Sequence, residues 1–484
     1  MKRILVLCFA MAVGFNSFSQ KKPKTNANKQ AVIGSIDANT SVLTELSDKI
    51  WSYEEIAFEE KQSAKALADY AESQGFKVKR GVAGIPTAFT AEYGSGKPII
   101  GIMGEFDALP GLSQNKVPTK SPLHEGKAGH GCGHNLFGVA SLGAAVAIKE
   151  LIQQGKIKGT IRFYGTPAEE KYFGKLWMVR DGLFDDLDVC MDWHPSAETK
   201  ANVQKGLALV DFRVEFFGQA AHASGDPWNG RSASDAMELY TTGINYLREH
   251  IEPTVRIHYH MEHPGDVVNV VPDYTKIWTR VRDTKREGME AVWKRVERIA
   301  EGASIMADVE YKITLISGVH EVLVNRTGAA ALQTNLEFLG GIDYTEQEQD
   351  FAKKIQESTG KEQVGMFSEI EPLEETEENP RGGSTDVGDV SWVVPVIRLS
   401  ATTAPKGTPW HSWAVVACGG MSIGHKGLNY ASKALAMTMV DLYENEALRA
   451  NVRGEFVKRK GDYIYKGIIP EGPPPISESA EAMK

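Results

Sequence analysis

The sequence predicts an α/β protein interrupted by a smaller α+β unit, and three observations carry that expectation. At 484 residues the chain is longer than one hydrophobic core usually serves, so two domains are expected. In both flanking parts, short apolar runs alternate with helical periodicity and polar loops, the pattern of a sheet covered by helices. From about Gly206 to residue 320 the rhythm changes to alternating strands and two helices, a unit of about a hundred residues able to stand alone.

In order, Met1-Lys2-Arg3 is a basic start, 4–15 a short apolar run, and Ser17-Phe18-Ser19 a small-residue cleavage site. That is the shape of a secretory signal peptide over 1–19, too short to span a membrane, so export is expected; a retained anchor is the alternative. Residues 21–30 read as a solvated linker, and 41–75 carry helical periodicity with Leu43, Leu46, Ile50 and Trp51 on one side. A strand over 97–103 ends in Glu105 and Asp107, a helix covers 136–154, and a strand over 159–164 ends in Glu169 and Glu170. A third strand, 188–193, ends at His194. Three successive strand ends thus deliver ligand-type residues, where sites form in α/β sheets. In the central unit, strands are expected at 207–217, 256–263, 274–283 and 309–316, with helices at 232–250 and 289–306. Beyond it come a helix at 327–339, an acidic solvated loop at 369–378, a strand at 392–400, a helix at 427–443 and an irregular tail from Asp462.

Composition excludes some classes. A net charge of −9 offers no basic stripe for a nucleic acid. Without the leader only Cys132, Cys190 and Cys418 remain, too few for a disulfide scaffold, and the last two sit in apolar contexts.

The chemistry concentrates in Gly129-His130-Gly131-Cys132-Gly133-His134-Asn135. Cys132 and His134, two residues apart, can aim at one point, and sulfur with imidazole suits zinc, or manganese or cobalt if carboxylates complete the shell. A buried thiol between two hydrogen-bonded histidines would look the same. Adjacent Glu169 and Glu170 can divide into ligand and general base, the pair that two-metal hydrolysis needs beside ions roughly 3.5–4 Å apart. A solvated acidic pair is the bland alternative.

The motifs GEFDALPGLSQ (104–114), GHGCGHN (129–135), GTPAEE (165–170), DWHP (192–195), GQAAHASGDPWNGRSASDA (218–236), GSTDVGDVSW (383–392) and TPWHSW (408–413) cover nearly the whole mature chain in one order. The sequence thereby resembles the aminoacylase and carboxypeptidase-G superfamily of metal-dependent amidohydrolases, within it the aminobenzoyl-glutamate hydrolase subgroup. The resemblance implies a mixed-sheet, exopeptidase-like catalytic domain in two parts, 20–205 and 321–461. A ferredoxin-like lid and dimerisation domain at 206–320 and a C-terminal extension at 462–484 complete it.

Carried over residue by residue, it implies two divalent ions per subunit, zinc or manganese, held by Cys132, His134, Glu170, His194 and His411, with Cys132 as the bridge. Glu169 becomes the general base and acid, and Asp107 orients a ligand. His222 would reach into a partner subunit's site, Asn269 would bind substrate, and Arg280 or Arg282 would grip a carboxylate. The chain departs from many superfamily members in having Glu105 where they have histidine and Cys132 where they have a carboxylate; the subgroup shares both changes. His130 is expected to be structural, and His258, His260 and His263 a surface cluster.

The function expected is hydrolysis of N-acyl or N-aroyl amino acids such as p-aminobenzoyl-glutamate by a homodimer, with a dipeptidase as the near alternative. Neither a nucleic acid nor, after signal cleavage, a membrane is an expected partner. Two other classes fit single features: a cysteine hydrolase using Cys132 and His134, which needs no metal, and a metal-binding protein without catalysis.

Overall fold

The structure is a computed structural model and describes residues 27–378 and 382–476; the expected signal segment 1–19 lies outside them. Eleven strands are described: β1 (Lys77–Arg80), β2 (Phe89–Ser95), β3 (Ile99–Gly104), β4 (Gly159–Gly165), β5 (Val189–Ser196), β6 (Lys200–Ala201), β7 (Ala208–Phe217), β8 (Arg256–His263), β9 (Tyr274–Asp283), β10 (Glu310–Val319) and β11 (Val396–Thr402).

They form two sheets. The larger runs β1-β2-β4-β3-β5-β11-β6. Its centre, β4-β3-β5-β11, is parallel, and β1, β2 and β6 add antiparallel edges, so the sheet is mixed. β3 is nearly continuous apolar sequence, as a strand covered on both faces must be. The helix His134–Gln153 is apolar around most of its circumference and accordingly buried, packed between β3 and the long helix Ser422–Glu444. By length and composition it could cross a membrane, but here it is a core helix, enclosed by protein along most of its length.

The smaller sheet runs β10-β7-β9-β8, antiparallel throughout. With helices Ala233–Leu247 and Arg286–Ala307 against it, the chain order is strand-helix-strand-strand-helix-strand, the ferredoxin-like arrangement. Its own core includes Val210, Phe212, Val214, Ile277 and Val281 from alternate strand positions.

Several expectations need correction. The linker 21–30 gives way at Ala27 to a helix, Ala27–Ala38, with Val32 and Ile36 buried. The single helix at 41–75 is two, Thr40–Tyr53 and Lys61–Ser73, because Glu54 turns left-handed at φ 53 without any glycine to announce it. The strand expected from Trp392 starts at Val396; residues Val387–Ser391 form a short helix, and Val394 is buried without being in a strand. The acidic loop 369–378 is tied down rather than solvated. Ile370 bridges to Thr199, Glu374 holds Lys200 at 2.7 Å, and Glu377 pairs with Arg459 at 2.7 Å. Sequence periodicity does not reveal β1, β2 or the helices Glu346–Ser358 and Glu446–Lys460.

The tail is irregular but not loose. His320 donates from Nδ1 to Asp389 at 2.7 Å, so its Nε2 accepts from the Tyr463 hydroxyl at 2.9 Å. Tyr465 donates to the same Asp389 carboxylate at 3.0 Å, and Ile468 bridges to Gly318 at the end of β10. The C-terminal stretch therefore straps the smaller sheet to the larger body.

Candidate metal centre

From β3 the chain passes first to β4 on one side and then to β5 on the other, so the strand order reverses at β3. Open α/β sheets bind ligands beyond the carboxyl strand ends at such a point. A cavity of about 580 Å³ lies there, lined by Cys132, Glu169, Glu170, His194 and His411 among others.

Glycines let the loops close on one another. A Cβ on Gly129 would stand 2.3 Å from the Leu112 carbonyl. Gly133, at φ 78, starts the helix in a left-handed conformation and packs against Pro195. Cys132 Sγ comes within 3.3 Å of His194 Nε2. His194 spends its Nδ1 proton on the Pro195 carbonyl at 2.7 Å, which leaves the Nε2 lone pair facing the thiol. His134 donates from Nδ1 to Asp107 Oδ1 at 2.9 Å, while Asp107 Oδ2 accepts the Glu170 N–H at 3.0 Å. Asp107 thus clamps two ligand-type residues at once. His411 Nε2 lies 3.4 Å from Glu170 Oε2, and its N–H donates to Gly131 at 3.0 Å, joining two loops distant in sequence.

Two ligand groups result. The ligand atoms of Cys132, His134 and His194 lie within 4.8 Å of one another, as do those of Cys132, Glu170 and His411. Cys132 belongs to both. His134 Nε2 and Glu170 Oε1 are buried with no hydrogen-bond partner, and a soft-to-borderline divalent ion would satisfy both. The donor set fits such ions.

Glu169 stands with Glu105 and His134 in a third group of the same dimension. Burial, then repulsion from Glu105, Glu170 and Asp386, pushes its carboxyl well above the usual carboxylate range. Burial likewise raises Glu170 to about 7. The backbone before Glu169 is strained: Ala168 has φ 61, and its N–H is held at 2.9 Å by the buried carboxylate of Glu60.

Beside these ligand-type residues lies a cluster that the sequence pattern does not reveal. Lys175, fully buried, donates to Glu105 Oε1 and to Asp386 Oδ1, both at 2.6 Å, and its N–H reaches Asp386 Oδ2 at 2.9 Å. Glu105 Oε2 stands 3.0 Å from His134 Nε2, outside hydrogen-bond alignment. A lone lysine inside Gly174-Lys175-Leu176-Trp177-Met178 was the available signal, since a charge amid apolar residues needs buried partners.

Other expected residues lie elsewhere. His130 is buried and bonded to the Ile50 carbonyl at 3.1 Å, a structural role. His222 and Asn269 are exposed neighbours on the rim of the smaller sheet's domain, joined by the bond from Ala223 N–H to the Asn269 carbonyl at 3.1 Å, and neither lines the cavity. Arg280 is corrected: its guanidinium is spent on Asp211, with Nε at 2.7 Å, and it lines a separate cavity of about 340 Å³ with His258, His260, Trp278 and Arg282. Cys190 and Cys418 are buried free thiols.

Residues 101–390 match the family model described as Peptidase family M20/M25/M40. The chain is 38% identical over 467 residues to one of the p-aminobenzoyl-glutamate hydrolase subunits of Escherichia coli strain K12, covering 91% of this chain and 97% of that one. It is 29% identical to the Xaa-Arg dipeptidase of Mus musculus, covering 87% and 90% of the two chains. Among solved structures, a dinuclear metal-binding peptidase of the M20 family from Bacillus subtilis superimposes with a TM-score of 0.58 at 18% identity, covering 84% of this chain and 99% of that one.

Proposed function

This chain belongs to peptidase family M20/M25/M40, a hydrolase acting on amide bonds, and from that premise we propose that it cleaves N-acyl or N-aroyl amino acids such as p-aminobenzoyl-glutamate. The observation that carries the reading is the pair of ligand groups sharing Cys132, with Glu169 beside them and committed to neither.

In this reading Cys132, His134, Glu170, His194 and His411 would hold two divalent ions, zinc or manganese, Cys132 belonging to both candidate groups. Bound there, the ions would supply Lewis-acid polarisation of the amide carbonyl and a more acidic water. Glu169, buried beside the two groups and committed to neither, takes the proton from the attacking water and hands it to the departing amine. Asp107 fixes the tautomer and tilt of His134 and holds the backbone of Glu170. Ala168, in its left-handed conformation, aims the following carboxylate into the cavity from a rigid turn.

A dipeptidase is the second reading, favoured by the 29% identity to a protein named for that activity. The same machinery serves both, and the acyl pocket decides.

We also read the domain at 206–320 as the contact of a homodimer. Trp228 and Val268, 73% and 97% exposed, flank His222 and Asn269 on the rim, an apolar edge suited to burial against a second copy. The basic, apolar and small-residue pattern of 1–19 supports export.

The test is amine release from p-aminobenzoyl-glutamate by the protein reloaded with zinc or manganese, with and without chelator. Release that the chelator abolishes supports the reading. Chelator-insensitive release would instead favour Cys132 as a nucleophile, and release only from dipeptides would favour the second reading.

A further inference from the structure

The cavity extends beyond the ligand cluster to a wall built from the linker Asn202, Gln204 and Gly206 and from the loop Gly383 to Thr385. Linker and loop are zipped together, with the Leu207 N–H donating to the Gly383 carbonyl at 3.0 Å. Arg398 stands at this wall. On β11 it is in register with Asp192 of β5, two residues before Ser400, which is in register with His194. Alternation along a strand therefore puts Arg398 on the face of the sheet from which His194 approaches the ligand cluster.

Two of the three guanidinium nitrogens are committed. Nε donates to Asp192 Oδ2 at 3.2 Å and Nη1 to the Gln204 carbonyl at 2.9 Å. Nη2 has no partner among the described residues, and the side chain keeps 13% exposure at the cavity it lines. Every other charged side chain described along that cavity is a carboxylate or a ligand-cluster histidine. Arg398 is thus the one described cation there, anchored on two sides with Nη2 left unpartnered. A pre-oriented guanidinium with an unspent nitrogen suits a carboxylate, through a charge-assisted bond from Nη2. The lysine nearby, Lys175, is enclosed by Glu105 and Asp386 and does not line the cavity.

We propose that Arg398 is a specificity-determining residue that binds a carboxylate of the substrate, an N-acyl amino acid, within the metal-site cavity. This rests on the reading of the cavity as an amidohydrolase site. It assigns to the larger domain the anion grip that the sequence suggests for Arg280.

The experiment measures binding rather than turnover, so that its failure is separable from failure of the hydrolase reading. Metal-loaded Glu169→Gln protein, with and without Arg398→Gln, is titrated calorimetrically with p-aminobenzoyl-glutamate, with each of its two mono-amides and with its diamide. The expected result is at least a tenfold weaker affinity for the dicarboxylate in the Arg398→Gln protein. One mono-amide, lacking the carboxylate that Arg398 holds, should bind both proteins alike, and so should the diamide. Because Arg398→Gln leaves Asp192 without its partner, Arg398→Lys is run beside it; it should fold, show a smaller loss, and keep the same dependence on that carboxylate. Equal losses for all four ligands, no loss for the dicarboxylate, or no binding of the dicarboxylate by the parent would each overturn the assignment. Absence of turnover in the unmutated protein with these binding results intact would count against the hydrolase reading alone.

Discussion

The carboxylate of Glu60 accepts the N–H of Ala168 at 2.9 Å and the hydroxyl of Thr87 at 3.1 Å, with no solvent exposure. It thereby holds a left-handed alanine immediately before the proposed base. Glu60→Ala would leave a buried N–H unpaired, a cost of about 1–3 kcal/mol in urea unfolding. It should lower kcat more than it raises KM, because Glu169 loses its aim while the binding wall stays. Glu60→Gln keeps an acceptor and should restore much of kcat.

Glu169→Gln should reduce turnover by about 10²–10⁴-fold with unchanged metal content. Steady-state rates beside elemental analysis check both halves. Near-normal turnover would remove Glu169 from its role.

Cys132→Ala should affect both ligand groups, whereas His194→Ala and His411→Ala should each affect one. Elemental analysis after gel filtration is expected to give less than one ion per chain for Cys132→Ala and about one for each histidine variant, against about two in the parent. Equal losses in all three would argue against a shared thiolate.

Lys175→Met should destabilise the fold by about 3–5 kcal/mol, because Glu105 and Asp386 would remain buried without their cation. Urea midpoints of Lys175→Met measure this. A variant within about 1 kcal/mol of the parent would mean that the cluster contributes little.

Acid sensitivity has a local test at Glu348. Its burial would raise its pKa, but bonds from Lys426, the Thr345 N–H and Ser422 outweigh that and hold it down at about 2, against an ordinary 4.5. A lowered folded value means that the stabilisation is complete above about 4.5 and fades as pH falls toward about 2. Glu348→Gln should therefore cost on the order of 2 kcal/mol at pH 7 and progressively less below pH 4.5, read from urea midpoints across that range. A pH-independent difference would rule the ion pair out as its source.

The elements readable from sequence are those whose own pattern records their surroundings. β9 alternates half-buried and buried residues along its whole length, and its limits emerge from that alternation alone. The break at Glu54 carries no such mark, since the apolar periodicity continues across it and the reversal depends on contacts with Ser113 and His124. At the candidate site, Glu169, Glu170 and His194 stand out because such residues cluster at consecutive strand ends, and Cys132 and His134 because a glycine-broken loop sets a thiol between imidazoles. Lys175 and Arg398 do not: the apolar residues around Lys175 signal burial but not its distant partners, and Arg398 resembles an ordinary strand cation until other segments enclose it. Arg280 errs the other way: an arginine there is a candidate for gripping a carboxylate, but Asp211 on the neighbouring strand claims it.

The bridge from Ile468 to Gly318 bears on the order in which the protein can be completed. β10 is an edge strand of its sheet, and exposed edges invite pairing with other chains. During synthesis that end of β10 waits until β11 and the helices Ser422–Glu444 and Glu446–Lys460 have been made before Ile468 arrives to cover it. His411, the last of the proposed ligands in sequence, also emerges late. The nascent chain therefore carries an uncapped edge and an incomplete set of proposed ligands together, the set completed at His411 and the edge covered only at Ile468.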